Sequence, residues 1–462
     1  MSVLRQELET SGQRHAWDRL ERLTGAARPR LEAQLRALDL GLVRKLAGLL
    51  AGAAGSSSPR SFAPPEVFPV RRSASEEARA RAARESGRRL LAAGKVGFVL
   101  VAGGQASRLG YDAPKGVFPI GPISQRSLFA FHAQRLRAAA RRHGTRTPWY
   151  VMTSPANDAA TRAFFGAQQN FGLDPADVFF FSQDMLPALD DEGRMLFSAA
   201  DSLFLAPNGH GGCLLGLAKS GALDDMRRRG LEQLSYFQVD NPLVRPADEL
   251  FLGLHADAHA GMSSKVVTKR DAGEKVGVLG RVDGALSCIE YSDMPAELRE
   301  ARTASGELAY RAGNIAVHML AVDFVEAVTR GGLDLPWHLA RKKMKVAAED
   351  GALVERNGVK FETFVFDALA RSEHSIVLEV ERSEEFSPVK NASGEDSPAS
   401  ARRDLCRLHA GWVRAAGRAL PPPDAEGNHP VEVDPLCAET QDEFLAHKEL
   451  TLDARTHGHL YL

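Results

Sequence analysis

The chain has 462 residues, 44% of them hydrophobic, with 58 basic against 59 acidic side chains and a net charge of -1. That length and apolar content predict a globular, soluble protein of two or three domains. The balanced charge gives no whole-protein field for nucleic acid or an anionic membrane, so any anion site has to be local.

In chain order, residues 1 to about 50 read as amphipathic helices, because Leu4, Leu8, Leu20, Leu23, Leu31, Leu35 and Leu38 recur at helical steps among charged residues. "AGAAGSSSPRSFAPPEVFPV" (Ala51 to Val70) is a Gly/Ser/Pro-rich connection in which Phe62, Val67 and Phe68 are able to pack. A helix follows that opens at Ser75 and ends at Gly94. From Val96, short apolar runs alternate with helical patterns: "VGFVLVAG", "SLFAFHAQRLRAAARRHG", "PWYVMTS", "AATRAFFGAQQNFG" and "VFFFSQ". Such alternation predicts an α/β fold with a mostly parallel sheet covered on both faces and ligands beyond the strands' carboxyl ends. Past about residue 385 the chain turns polar, then gives a helix around "LCRLHAGWVRAAG" and short strand-like runs. The expected domains are a helical region over 1–94, a central domain over 95–384 and a C-terminal domain over 385–462.

The four cysteines, Cys213, Cys288, Cys406 and Cys437, form no C-x-x-C pair and read as reduced thiols. "MSVLRQELETSGQRHAW" has no apolar leader core, and no run approaches the ~20 apolar residues of a membrane span, so a cytoplasmic location is expected. "HADAHAG" sets His255 and His259 four apart on what reads as a helix surface, and His457 and His459 lie near the end; neither pair has a metal-site motif. Oligomeric state leaves no mark in the sequence.

The densest signal is "VLVAGGQASRLGYDAPKG" (Val99 to Gly116). A loop leaving a strand through Gly103 and Gly104 lets backbone N–H groups approach phosphate oxygens, and Arg108 and Lys115 add charge. The spacing fits neither G-x-G-x-x-G nor G-x-x-x-x-G-K-[ST], so it is neither a dehydrogenase fingerprint nor a Walker loop. Read locally, a tight turn with two solvated cations stays open.

This loop resembles the signature of the UDP-sugar pyrophosphorylases, L-A-G-G-Q-G-T-R-L-G followed by P-K-G, at Gly103, Gly104, Arg108, Gly110, Lys115 and Gly116. Ala106 stands where that family has glycine. Further motifs resemble the family in order, from the N-terminal helices to "HKELTLDA". "FFFSQDMLPAL" offers Gln183 for the uracil edge, and "LAPNGHGG" offers Gly209 and His210 in a second glycine-rich loop. "VDN" offers Asp240 as the Mg2+ residue, a job that suits a carboxylate at a strand end. "VGVLGRVDGALSCIEYSDM" and "YRAGNIAVHML" resemble sugar segments of the N-acetylhexosamine branch and offer Gly277, Glu290 and Asn314. "KFETFVFDAL" offers Phe364 and Phe366 for an N-acetyl pocket, and "EFSPVKN" offers Lys390 for the phosphates. Without the resemblance, Gln183 and Asp240 read as capping or turn residues, and the Phe pair as core sharing one strand face.

The resemblance implies a Rossmann-like, GT-A-like nucleotidyltransferase with a mixed sheet. UTP and N-acetylglucosamine 1-phosphate are the implied substrates and Mg2+ the implied ion, with Mn2+ as its substitute; nucleic acid and membrane are not implied partners. His210 keeps a glucose or galactose 1-phosphate enzyme open as the rival, because it stands where N-acetylglucosamine enzymes carry asparagine. A non-catalytic nucleotide-sugar sensor is the rival of another class, and the retained cations and Asp240 weigh against it.

Overall fold

The computed structural model describes residues 3–52, 61–291, 293–447 and 459–462. Its principal sheet has ten strands among those residues: β1 (Phe62–Ala63), β2 (Val96–Val101), β3 (Trp149–Thr153), β4 (Val178–Ser182), β5 (Gln233–Gln238), β6 (Met262–Thr268), β7 (Val278–Val282), β8 (Ala285–Ile289), β9 (Ala312–Ala321) and β10 (Val377–Glu379). The order is β1-β7-β9-β5-β2-β3-β4, with β8 beside β7 and β6 between β9 and β10. β5, β2, β3 and β4 run parallel, and β9 turns antiparallel against β5.

The parallel strands read as near-continuous apolar runs because both of their faces are covered. Helix Leu128–His143 starts at an Ser127 cap, which accepts the N–H of Ala130, and stops at Gly144. It packs Phe129 and Phe131 into one core with Phe98, Leu100, Trp149, Val151, Phe165 and Phe237. Helix Ala74–Ala92 is capped by Ser73, two residues before the Ser75 start read from sequence, because Ser73 and Glu76 form a reciprocal capping box. It crosses helix Glu249–Asp257 backbone to backbone. A Cβ on Gly253 would lie 1.7 Å from the Ala83 carbonyl oxygen, so only glycine fits there.

Two compact units result. The larger comprises Ser61–Ser182, Leu214–Leu333 and Phe366–Leu462; the smaller joins three separated segments, Met1–Arg60, Gln183–Cys213 and Asp334–Val365. This division differs from the consecutive one at 94 and 384. Helices Val3–Thr10, Arg14–Arg22, Ala27–Arg36 and Leu40–Gly52 bury Leu8, Leu20, Leu31 and Leu35 with Leu189, Phe197, Val359 and Phe361. Gln13 adds a polar tie, donating to the Gly193 carbonyl at 2.8 Å and accepting the N–H of Met195 at 2.8 Å. The smaller unit also holds the long hairpin His338–Ala347/Leu353–Glu362. In the larger unit the C-terminal residues build their own cluster, with Trp412, Val413, Val431, Phe444 and Leu460 packed together.

His255 and His259 do not form a pair on a helix surface. The helix ends at Asp257, His259 sits in a left-handed turn at φ 47°, and His255 is fully buried with Nδ1 2.8 Å from Ser263 Oγ. His457 and most of "HKELTLDA" lie outside the described residues. No described helix is long and apolar enough to cross a membrane.

Candidate active site

The loop after β2 is a short hairpin closed on itself. Gln105 bridges Pro114, the Lys115 N–H donates to the Gly104 carbonyl at 3.1 Å, and the Ala106 N–H donates to the Ala113 carbonyl at 2.9 Å. Its carbonyls are held from behind: Ser154 Oγ donates to Gly103, and Asn157 Nδ2 donates to Ala102 and Gly104. No described residue accepts the N–H groups of Gly103, Gly104 or Gln105. Consecutive free amides of this kind make a concave anion cradle.

Within this loop Gly104 and Gly110 are exposed, and a Cβ on either would meet nothing within 4 Å. Gly110 has φ 70°, so its conformation rather than space calls for glycine. Arg108 is exposed on the one-turn helix Ser107–Leu109. Ala106 is fully buried, which places its methyl group in the packing under the loop. Gly116 abuts the Phe129 ring, where a Cβ would come within 2.2 Å.

Asp240 lies two residues beyond β5 and is 8% exposed. Its Oδ2 pairs with Lys115 Nζ at 3.3 Å, which brings the two charged motifs together. The Val389 N–H donates to the Asp240 carbonyl at 2.9 Å, so the segment carrying Lys390 docks on the same turn. Lys390 is exposed, with Nζ 5.7 Å from the centre of the Phe386 ring.

Sequence reading missed the residue that fastens this arrangement. Asn241 donates from Nδ2 to the Glu385 carbonyl at 2.7 Å and accepts the N–H groups of Ser387 and Leu243 at Oδ1, both at 3.2 Å. An asparagine directly after a strand-end carboxylate was the available signal, since its amide both donates and accepts.

A second cluster forms where β7 and β8 meet β9. Val278 pairs with Ile289, so the register carried one step back sets Gly277 opposite Glu290. A Cβ on Gly277 would lie 2.9 Å from Cys288 Sγ and 3.2 Å from Glu290 Oε1. The Asn314 N–H donates to the Gly277 carbonyl at 2.8 Å, and Asn314 Nδ2 lies 3.6 Å from Cys288 Sγ. Gly277, Glu290 and Asn314 therefore converge around Cys288, which sequence reading left out although it shares a strand face with Glu290. Burial, with the charge of Glu290 adding to it, pushes the Cys288 thiol well above its ordinary range, so it remains a neutral thiol here. Because β9 runs against β5, Asn314 and Asp240 stand at the same end of the sheet.

In the smaller unit, Gly209 has φ 81° and packs on Thr363, where a Cβ would lie 2.3 Å from the carbonyl oxygen. The neighbouring His210 ring stacks on Phe364 with centroids 5.1 Å apart, and Phe364 lies 4.3 Å from the His338 ring. The Val365 N–H donates to His210 Nδ1 at 3.2 Å, which fixes the imidazole neutral with its proton on Nε2. Lost hydration, with the His338 charge adding to it, pushes the imidazole down to about 4. Gln183 is 7% exposed and belongs to this unit.

Phe364 and Phe366 do not share a strand face. The strand ends at Glu362 because Thr363 turns to bond Asn208 and Gly211, and Phe366 is buried in the short helix Val365–Arg371 of the next segment.

The geometry offers an amide cradle, two cations and a buried carboxylate at one sheet end, the arrangement a polyphosphate needs, with a polar cluster beside it. Among known proteins, a family profile described as UTP–glucose-1-phosphate uridylyltransferase matches residues 66–418. The human protein named UDP-N-acetylhexosamine pyrophosphorylase-like protein 1 is 42% identical over 356 residues, covering 74% of this chain and 70% of its own length. UDP-N-acetylglucosamine diphosphorylase 1 of Arabidopsis thaliana is 41% identical over 364 residues, covering 75% and 70%. The crystal structure of the UDP-N-acetylglucosamine pyrophosphorylase from Trypanosoma brucei superposes with a TM-score of 0.83 at 27% identity, covering 97% of this chain and 95% of that one.

Proposed function

The chain belongs to the UTP–glucose-1-phosphate uridylyltransferase family, and from its likeness to the N-acetylhexosamine and N-acetylglucosamine enzymes we propose that it joins UTP to N-acetylglucosamine 1-phosphate. A phosphate oxygen of the sugar phosphate forms a bond to the α-phosphorus of UTP, the bond from that phosphorus to the β-phosphate oxygen breaks, and pyrophosphate leaves with the electron pair. The carrying observation is the convergence of Gly277, Glu290 and Asn314 at the sheet end that also holds Asp240 and Lys115. Release of pyrophosphate from UTP with a panel of sugar 1-phosphates tests it, and release with none of them would sink the reading.

Both reactants are polyanions, so the protein's work is to suppress repulsion and hold them in line. The free amides of Gly103, Gly104 and Gln105 take phosphate oxygens, and Arg108, Lys115 and Lys390 share the charge. Gln183 and Gly209 serve the uracil, while Glu290 accepts sugar hydroxyl bonds. Phe366, in the same unit as Glu290 and Asn314, provides apolar surface for the acetyl group. No protein nucleophile takes part, because the attacking phosphate is already ionised. A cytoplasmic location belongs to this reading and is supported by the four free thiols.

The donor set at Asp240 fits Mg2+, or Mn2+ in its place. One buried carboxylate with an oxygen left over from Lys115 suits an ion that takes one or two protein oxygens and completes its shell with phosphates and water. When bound, the ion would neutralise phosphate charge. Asp240→Asn is expected to raise the metal concentration for half-maximal activity while leaving the melting temperature near that of the parent. Full activity of the parent in excess EDTA would remove this role.

His210 supports a second reading in which glucose 1-phosphate is also used, because it stands where N-acetylglucosamine enzymes carry asparagine. An apolar shelf for one acetyl methyl discriminates by only ~10- to 200-fold. His210→Asn is therefore expected to raise the ratio of kcat/KM for N-acetylglucosamine 1-phosphate over glucose 1-phosphate. An unchanged ratio would show that His210 does not read the sugar.

A further inference from the structure

We propose that a second small-anion site lies behind Gly277, the residue that leads into β7, in a cavity of about 280 Å3 lined by Lys269, Lys275, Val276, Val278, Met294 and Arg299. Lys269 is 6% exposed. An ammonium carries three donors, yet its one hydrogen bond among the described residues goes to the Ala272 carbonyl at 3.2 Å. No described carboxylate lies within ion-pair distance of it. Glu274, also on the wall, is engaged by Arg382 at 2.8 and 3.1 Å and accepts the Arg270 N–H.

The cations left around the cavity are Lys269, Lys275 and Arg299, whose guanidinium reaches the Met294 and Tyr291 carbonyls only at 3.3 and 3.5 Å. Burial holds the Lys269 ammonium below the ordinary lysine range. A buried cation with so little to bond is costly unless an anion joins it. The opposite wall is apolar, since Val278 and Met294 belong to a buried cluster with Ile289 and Tyr310. The occupant is thus a phosphate monoester or a carboxylate with an apolar or aromatic body.

Val276 and Val278 flank Gly277, and Ile289 precedes Glu290. An occupant therefore steadies the hairpin whose other face carries the cluster around Cys288, and lowers the KM for the sugar 1-phosphate. This coupling rests on the reading of that cluster as the sugar wall. The binding itself does not.

Isothermal titration calorimetry on the full chain, with phenyl phosphate and separately with benzoate, tests the site and distinguishes the two anion classes. Lys269→Met and Arg299→Met are each expected to weaken binding of the preferred probe by about tenfold or more, the scale of a lost bond to a charged group. Lys115→Ala is expected to leave that binding intact. Absence of binding by both probes, binding retained in both variants, or binding lost in Lys115→Ala would overturn the proposal. Arg299 is half-exposed, so Arg299→Met carries the test should Lys269→Met fail to fold. In steady-state assays the bound probe should lower the KM for N-acetylglucosamine 1-phosphate and leave that for UTP unchanged, and an unaltered sugar KM overturns the coupling. If the chain turns over no sugar phosphate at all, the function reading fails while the calorimetry still decides the site.

Discussion

Lys115→Ala lowers kcat by about a hundredfold or more, the scale on which removal of one preorganised transition-state charge is felt. The expectation rests on where the ammonium sits. The Lys115 N–H closes the loop hairpin on Gly104, and Nζ pairs with Asp240 at 3.3 Å. Truncation removes the charge but leaves the backbone bond and therefore the loop. Arg108→Ala should cost a similar factor, and Arg108→Lys should restore only part of it because a point charge lacks the two-pronged fork. Stopped assays beside a thermal melt check the result, and near-parental kcat in a folded Lys115→Ala protein would refute the cradle.

Lys265→Met destabilises the larger unit by about 3–5 kcal/mol, the range for breaking a buried ion pair from one side. Lys265 is fully buried, with Nζ 2.6 Å from Asp248 and 2.5 Å from Glu385. Burial alone would lower the lysine, but the two carboxylates outweigh it and hold it above its ordinary value. Its stabilisation is therefore present below the unfolded lysine value of ~10.4 and is lost as pH rises through the higher folded value. Burial pulls Asp248 the other way, upward, and Lys265 overcomes it, leaving the carboxyl low. That contribution is present above ~3.9 and is lost as pH falls through the folded value.

In the variant the two carboxylates keep, among the described residues, only Arg245, 4.0 Å from Glu385, as a neighbouring cation, and their mutual repulsion favours uptake of a proton by one of them. The deficit measured by urea denaturation should therefore be smaller at pH 5 than at pH 8. An equal deficit at both would show that lost packing, not charge, is responsible. Glu385 also presents the carbonyl that Asn241 holds, so the same variant should loosen the Lys390 segment and lower kcat.

The parallel half of the sheet was readable because each strand is a short apolar run beside an amphipathic helix, and Val96–Val101, Trp149–Thr153 and Val178–Ser182 fall where those runs stand. The loop over residues 103–116 was readable for a different reason: its chemistry is local, carried by glycines and two cations within one turn. What escaped depended on partners far away in sequence. Lys265 reads as a solvated lysine until Asp248 and Glu385 are brought to it. His255 reads as a surface residue until Ser263 folds back against it. Phe364 and Phe366 obey strand alternation only if the strand continues, and the demand of Asn208 for Thr363 ends it. Cys288 gave no signal because its significance lies in packing beside Gly277 across the β7–β8 hairpin, a matter of register.

The three-part construction of the smaller unit sets a timetable for biosynthesis. Leu8, Leu20, Leu31 and Leu35 reach their partners Val359 and Phe361 only after some three hundred intervening residues have been translated. At roughly 5–20 residues per second that interval lasts about 15–60 s. For that time these helices carry an incompletely covered apolar face, a state prone to aggregation and suited to a chaperone. The larger unit faces the complementary delay, because β10 joins β6 only near residue 377, after the hairpin of the smaller unit has been made. The smaller unit therefore cannot mature before the larger one has begun to form; both are completed only late in synthesis.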